Sequence, residues 1–204
     1  MPRRPSPKRA AVIDAATQLF LTHGFSGTSM DRIAAEANVS KRTVYDHFPS
    51  KDDLFQAIAD RTMDEVDKMP GHAYSPDVDV FDQLLAIGET FAATITSPAF
   101  LRLTRVVVAR FIQSREWGVH SHKAHARLRR DMTAFFVAAT ADGRLDVQQP
   151  DFAATQFCGL IKEVAFWPVL TAGQAPLTDA ERSLAVRSAV ELFVAGYRVA
   201  EAPA

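Results

Sequence analysis

Polar and cationic side chains are concentrated in one short stretch that runs from Ser40 to Lys51, SKRTVYDHFPSK. Ser40 is a good helix N-cap, so Lys41, Arg42 and Thr43 occupy the first turn of the helix that follows it. A helix that lies in the major groove of DNA brings the side chains of its first turn to base edges and phosphates. We therefore predict that Lys41, Arg42 and Thr43 read bases.

The remainder of this helix separates an inward face from an outward one. Val44 and Phe48 are four residues apart and anchor the helix to a core. Tyr45 and His47 are then free to contact the phosphate backbone on either side of a groove. Pro49 ends the helix because proline cannot continue its hydrogen-bond pattern.

A second short helix precedes this one across a tight turn. Ser29 is its N-cap, and Ile33, Ala34 and Ala37 form an apolar stripe. Asn38 lies where the chain must reverse, and asparagine tolerates the left-handed conformation that ends a helix. The pair predicts a helix-turn-helix unit, although an ordinary helical corner gives the same pattern of small residues.

Lys51 begins the next helix, which is capped by Ser50. Backbone N–H groups exposed in a first turn, together with a cation, make a phosphate site. The phosphate-binding residues that we predict are Ser29, Tyr45, His47 and Lys51.

The remaining pattern is helical throughout and predicts an all-α protein of about nine helices. No segment is a convincing strand, since even VVVA at 106–109 lies inside a longer helical period. Outside the helix-turn-helix unit, the predicted helices cover residues 7–23, 50–68, 78–96, 98–114, 119–141, 151–170 and 178–200. Pro168 is expected to bend or fray the end of the 151–170 helix.

Charge is distributed unevenly along the chain. Residues 1–51 carry eight basic and four acidic side chains, a net charge of +4, whereas the whole chain has −1. This suits a polyanion-binding head on a body that is not attracted to DNA, although a basic N-terminus also serves solubility. We predict a DNA-binding domain at 1–51 and a C-terminal body at 52–204. The arm before Ser6 either contacts DNA or is a disordered tail.

Composition bounds the location and the chemistry of the protein. The 204 residues are 48% hydrophobic, which fits a globular protein with a real core. No apolar run has the length of a membrane span, and the N-terminus lacks the apolar core of a signal peptide, so a cytoplasmic protein with no membrane partner is expected. Cys158 is the single cysteine, which excludes an intramolecular disulfide and a cysteine-based zinc site. A small buried core residue is predicted, and a redox sensor is the alternative.

Thr28 to Lys51 resembles the signature of the TetR family of bacterial transcription regulators, and KRTVYDHFPSK resembles its recognition-helix motif. Asn38 stands where the family usually has glycine, and both residues accept the same backbone conformation. LRLTRVVVARF and GRLDVQQPDFAATQFCGL are similar to the C-terminal domains of AcrR-like and AefR-like members. The resemblance implies a homodimer joined by a four-helix bundle of the last two long helices, an effector cavity in the body, and repression more often than activation.

The last two predicted helices carry apolar residues on more than one face. A second copy of the chain would cover the surplus, whereas a helix that is apolar all round can also be buried within its own domain. Two-fold pairing would place two recognition helices on a palindromic operator. The residues predicted at the dimer interface are Phe157, Leu160, Ile161, Val164, Val186, Val190, Phe193 and Tyr197.

Aromatic side chains are numerous, with fourteen phenylalanines and two tryptophans. Large flat side chains pack with gaps unless something fills them, so a pocket for a small apolar or aromatic effector is predicted. Each of its residues is also explained by an ordinary core. The predicted lining comprises Phe91, Leu103, Val107, Phe111, Phe135, Phe166 and Trp167.

No catalytic motif is present: the sequence lacks GxSxG, GxGxxG after a strand, a Walker loop and HExxH. His120, His122 and His125 form the one cluster that bears on metal binding. On a helix His120 points away from the other two, so a basic exposed helix end is the alternative to a metal site. We predict a ligand-responsive DNA-binding regulator without a cofactor. A small-molecule-binding enzyme or carrier and a non-specific architectural DNA protein are the rival hypotheses.

Overall fold

The computed structural model describes residues 6–113 and 126–199, and every regular element in these two ranges is helical. The predicted all-α fold class is therefore confirmed. No single helix in these ranges is long and apolar enough to cross a membrane; the consecutive helices at Val80–Ile95 and Pro98–Ile112 reach that length and apolarity only when they are taken together. The helices are α1 (Pro7–His23), α2 (Met30–Glu36), α3 (Lys41–His47), α4 (Lys51–Asp67), α5 (Val80–Ile95), α6 (Pro98–Gln113), α7 (Ala126–Ala141), α8 (Pro150–Ala165), α9 (Trp167–Thr171) and α10 (Asp179–Gly196).

The predicted helix at 151–170 is in fact two helices, α8 and α9. Pro168 lies in the first turn of α9, where its missing N–H group is not needed, but its ring cannot be accommodated inside a longer helix. The break falls at Phe166, whose N–H donates to the carbonyl of Lys162 at 3.0 Å. The predicted turn at 116–118, the predicted helix start at 119, and the cluster of His120, His122 and His125 lie outside the described residues.

The described chain divides into two compact units. The first contains residues 6–64 and 99–113, and the second contains residues 65–98 and 126–199. Helix α4 thus contributes its first residues to one unit and its last to the other. The boundary between residues 51 and 52 rests on charge and motif, and it stays a prediction.

The first unit is a helical head whose core lies between α1, α2, α3, α4 and α6. Helix α1 begins at Ser6, whose Oγ accepts a hydrogen bond from the N–H of Arg9 at 3.2 Å, and it ends at Gly24. Gly24 has a φ of 71°, a conformation that glycine adopts without strain. The predicted span of α1 is confirmed. Fully buried core residues include Val12, Ala16, Ile33, Val44, Leu54, Phe55 and Ile58.

The second unit is a bundle of α5, α7, α8, α9 and α10 around an aromatic cluster. Phe136 stacks on Phe193 with ring centroids 5.0 Å apart, and Phe157 meets the edge of Phe193 at 5.3 Å. Phe135 meets Phe136 edge-on at 5.7 Å. These rings come from α7, α8 and α10, so their contacts hold these three helices together.

Helix α5 approaches α10 closely at Gly88. A Cβ atom at this position would lie 2.7 Å from Cγ1 of Val186 on α10 and 3.3 Å from Cδ1 of Ile161 on α8. Valine is stiff about χ1, so its methyl group cannot simply turn away. The absence of a side chain at Gly88 therefore sets the distance between these helices.

We predict that Gly88→Ala destabilises the protein by about 1–3 kcal/mol, because overpacking outweighs the gain in helix propensity. The free energy of unfolding, measured by urea denaturation, tests this. Gly71→Ala is the control, since a Cβ there also meets nothing within 4 Å and Gly71 lies outside the helices. It should leave stability equal or raise it by about 0.4–1 kcal/mol. Equal losses at both positions would contradict the packing argument.

Candidate nucleic-acid interface

The turn between α2 and α3 is held by local backbone geometry. Ser29 Oγ accepts a hydrogen bond from the N–H of Arg32 at 3.2 Å and so caps α2. Asn38 has a φ of 51°, in the left-handed region, as its residue type predicts. The N–H of Val39 then returns to the carbonyl of Ala34 at 3.0 Å. This closure fixes the direction in which α3 leaves the turn.

Helix α3 is anchored along one side. Ser40 Oγ accepts a hydrogen bond from the N–H of Thr43 at 3.1 Å, which caps the helix as predicted. Val44 and Phe48 are buried in the head core, as their spacing predicts. The opposite side of α3 must therefore face outward.

The outward face carries the predicted DNA-contact residues. The Arg42 side chain is 91% exposed, and that of Lys41 is 66% exposed. Tyr45 is 49% exposed although it is large and aromatic. Thr43 is half-buried, and its Oγ1 lies 2.8 Å from Ser40 Oγ, so its hydroxyl group already takes part in the cap.

Carboxylates pair with both of the exposed cations. Lys41 forms an ion pair with Asp31 of α2, and Arg42 Nε lies 3.9 Å from Oδ2 of Asp46. Exposed ion pairs contribute about 0–1 kcal/mol, so a phosphate or a base edge can replace these carboxylates. The ion pairs therefore orient Lys41 and Arg42 but leave both cations able to bind another anion.

The phosphate-contact candidates occupy three different settings. Ser29 is exposed, and its hydroxyl group can still donate a hydrogen bond while its oxygen caps α2. His47 is half-buried, with Nε2 at 3.4 Å from Ser6 Oγ at the start of α1. Lys51 is half-buried as well and is already engaged within the head.

Lys51 closes the loop between α1 and α2. Its Nζ donates hydrogen bonds to the carbonyls of Phe25 at 2.7 Å and Thr28 at 2.9 Å. The same ammonium lies 4.4 Å from the centroid of the Phe25 ring. An ammonium group has three N–H donors, so one remains for an external anion. Sequence analysis missed this structural role; the signal was an aromatic residue directly after Gly24, at the end of α1.

We predict that Lys51→Met destabilises the head by about 1–3 kcal/mol, because the carbonyl of Thr28 loses the Lys51 donor and that of Phe25 keeps only the N–H of Thr28, at 3.4 Å. Thermal unfolding followed by circular dichroism measures this. Lys41→Met is the matched control: it removes an equal charge from an exposed pair, and the expected change is below about 1 kcal/mol. If both variants unfold alike, the loop does not depend on Lys51.

The residues predicted to line an effector pocket are divided between the two units. Leu103 and Val107 are buried in the head core, and Phe111 packs against that core. The other four belong to the second unit, where three are buried and Trp167 is 38% exposed: Phe91, Phe135, Phe166 and Trp167. The pocket stays a prediction.

The residues predicted at a dimer interface also fall into two groups. Those that point into the protomer's own core, within 3% exposure, are Phe157, Ile161, Val186, Val190 and Phe193. Val164 is exposed, and Leu160 and Tyr197 are half-buried at the surface. The five buried residues account for one of the two apolar faces of α8 and α10, because this face packs inside the bundle.

Leu160, Phe193 and Tyr197 line a shallow groove between α8 and α10, which also includes Leu192. Its polar members meet inside it: the Tyr197 hydroxyl donates a hydrogen bond to Oε1 of Gln156. Sequence analysis missed Leu192, although its eight-residue spacing from Leu184 places both on one helical face.

Cys158 lies on α8 and is half-buried. Burial raises the pKa of its thiol to about 11, and the cations of Lys162 and Arg129 offset this only in part. The thiol is therefore protonated at neutral pH and unreactive as a nucleophile.

An exposed cationic helix held against a second helix by an asparagine turn defines a helix-turn-helix DNA-binding protein. Family models match most of the chain: the bacterial regulatory proteins of the TetR family match residues 12–58, and the C-terminal domain of AefR-like transcriptional repressors matches residues 82–199. The chain belongs to the TetR family and is a transcription regulator, as its recognition-helix motif predicts.

Relatives agree with this assignment. The transcriptional repressor SCO4008 of Streptomyces coelicolor is 31% identical over 70% of this chain and 67% of its own length. A TetR family regulator from Pseudomonas syringae has a similar crystal structure, with a TM-score of 0.80 and 41% identity, covering 97% of this chain and 100% of that one. The flavonoid-responsive regulator FrrA has a TM-score of 0.73 at 26% identity, covering 95% and 98% of the two chains.

Proposed function

We propose that this protein is a homodimeric repressor that binds a palindromic double-stranded DNA operator in the cytoplasm and is released by a small apolar or aromatic effector. The observation that carries the DNA-binding part is the outward face of α3, where Arg42 and Tyr45 are exposed while Val44 and Phe48 anchor the helix. The protein is a regulator and not an enzyme, in keeping with its relatives.

In this proposal the side chains divide into base readers and phosphate contacts. Arg42 suits guanine, because a guanidinium group bonds to its O6 and N7 atoms in the major groove. Lys41 and Thr43 share the first turn with it. The phosphate backbone of the DNA is held by Ser29, Tyr45, His47 and Lys51. These contacts position α3 in the groove but do not read the base sequence. The exposed carboxylate of Asp46 gives way when Arg42 reaches a base.

We predict that Arg42→Ala lowers the selectivity for the operator over scrambled DNA by roughly tenfold or more, about 1–3 kcal/mol for a bidentate base contact. Tyr45→Ala should weaken binding to both duplexes, because it removes a phosphate contact. Fluorescence anisotropy with labelled duplexes at fixed salt measures both effects.

Arg102→Ala is the matched control for this experiment. Arg102 is an exposed arginine on α6, outside the helix-turn-helix unit. Its removal should leave the selectivity unchanged. Unchanged selectivity in Arg42→Ala would count against base reading by α3, and equal affinity of the parent protein for both duplexes would favour an architectural DNA protein.

The dimer face that we propose consists of the outer sides of α8 and α10. Large apolar side chains are exposed there in helical register, with Leu184 at 68%, Leu192 at 63% and Val164 at 53%. Phe152 extends the face at the start of α8 and is exposed as well. Gly159 and Gly196 border the groove, and glycine allows a second helix to approach closely. Two-fold pairing of this face would bury the whole set.

Leu192→Glu is expected to convert the dimer to monomers, because it places a charge in an apolar interface core. Sedimentation velocity gives the mass of the species in solution. Val137→Glu is the control, since Val137 is equally apolar and 52% exposed on α7. A Leu192→Glu protein that stays dimeric would place the interface elsewhere.

The effector part rests on the predicted lining and on the resemblance to FrrA, which is named as responsive to flavonoids. A ligand can change operator affinity only if it binds one conformation of the protein more tightly than another. The change can be no larger than that difference in ligand affinity. Helix α4 joins the two units along the chain and is the element that would transmit this preference.

We predict that a flat aromatic compound from a panel that includes flavonoids raises the melting temperature of the protein. A bound ligand stabilises the folded state in proportion to the logarithm of its concentration over its Kd. Phe135→Ala should reduce the ligand-induced rise in melting temperature. The rise is measured from the melting temperature of the unliganded variant, so that the effect of the substitution on stability does not enter. A panel without any shift would remove the support for an aromatic effector.

A further inference from the structure

A small cavity of about 250 Å³ lies within the head unit. Its apolar wall comes from α1, the loop that follows it, α4 and α6, and it comprises Phe20, Leu21, Phe25, Phe55, Val106 and Ala109. Arg110 of α6 borders the same space. None of the residues predicted to line the effector pocket belongs to it, so this cavity is a separate candidate site.

Arg110 is held in this cavity without full use of its donors. Its guanidinium carbon lies 4.1 Å from the centroid of the Phe25 ring, and its side chain is 21% exposed. Among the described residues its carboxylate contact is a long one, with Nη2 at 3.5 Å from Oδ1 of Asp52. Its Nε is buried and has no hydrogen-bond partner among the described residues. A buried guanidinium donor without a partner favours an anion beside it.

We propose that this cavity binds a small aromatic carboxylate of single-ring size, with its carboxylate on Arg110 and its ring among the phenylalanines. An apolar cavity of about 150 Å³ holds benzene, so the available volume accommodates one ring with its acid group. The planar carboxylate matches the fork of the guanidinium group. A neutral ring of equal size lacks the charge that pairs with the guanidinium group.

The position of the cavity connects the ligand to the DNA-contact surface. Phe25 forms one wall, and its carbonyl accepts the hydrogen bond from Lys51 at 2.7 Å. A ligand on Phe25 and Arg110 therefore contacts the loop that sets the position of α2. This site would act on the head directly and does not need the effector pocket of the proposed function.

Isothermal titration of the full-length protein with benzoate tests the proposal. Benzamide, a neutral molecule of the same shape, should bind at least about tenfold more weakly, because it lacks the charge-assisted hydrogen bond. Inorganic phosphate should also bind more weakly, since it gains nothing from the apolar wall. Equal affinity for benzoate and for either comparator overturns the proposal, as does the absence of benzoate binding at millimolar concentration.

Variants and methyl chemical shifts locate the site. Arg110→Gln removes the charge, and Ala109→Phe fills the space with Arg110 left in place, so each should weaken benzoate binding at least about tenfold. Ala134→Phe, at an exposed alanine of α7, should not change it. Benzoate should shift the methyl signals of Leu21 and Val106. Shifts confined to residues 126–199, or unchanged affinity in Ala109→Phe, would overturn the assignment.

Discussion

The ammonium group of Lys51 is the contact on which the geometry of the head depends. It joins the first turn of α4 to the carbonyls of Phe25 and Thr28, in the loop that leads into α2. A loop of this kind has carbonyl groups that no helix satisfies, and a buried acceptor without a donor is costly. One side chain thus fixes α2 relative to α4, and the asparagine turn then fixes α3 relative to α2.

Neighbouring residues of the stretch 40–48 have different structural roles. Val44 and Phe48 hold α3 in the core, Ser40 and Thr43 form its cap, and Lys41 and Arg42 extend outward with carboxylate partners. Exposed ion pairs are weak, whereas the buried anchors are closely packed. Helix α3 is therefore held firmly along its buried side, while its exposed cations can exchange partners.

The head could be predicted from sequence almost completely, because its signals are local. Caps at Ser6, Ser29 and Ser40 and the turn at Asn38 depend only on neighbouring residues. Sequence analysis missed the role of Lys51, because its partners lie more than twenty residues away in the chain and Phe25, directly after Gly24, is the single local signal. The cavity beside Arg110 could not be predicted, because its walls come from three separate segments: residues 20–25, Phe55 and residues 105–110.

In the second unit the sequence indicated the helices but not their orientation. Helices α8 and α10 are apolar on two faces, and periodicity cannot decide which face fills the core. Five of the eight residues predicted for a dimer interface are buried within the protomer, while Leu184 and Leu192 carry the outer face. The bent or frayed end expected at Pro168 is found as a break of one residue, Phe166, between α8 and α9, because the proline ring cannot be accommodated in a continuous helix.

The high pKa of Cys158 has a consequence for the chemistry that this protein tolerates. Peroxide oxidises thiolates rather than thiols, so a sulfur that stays protonated at neutral pH reacts slowly. The single cysteine of the chain is thus protected by its surroundings on α8 from the conversion to sulfenic acid. Mild oxidising conditions would therefore leave α8 largely unmodified at this position.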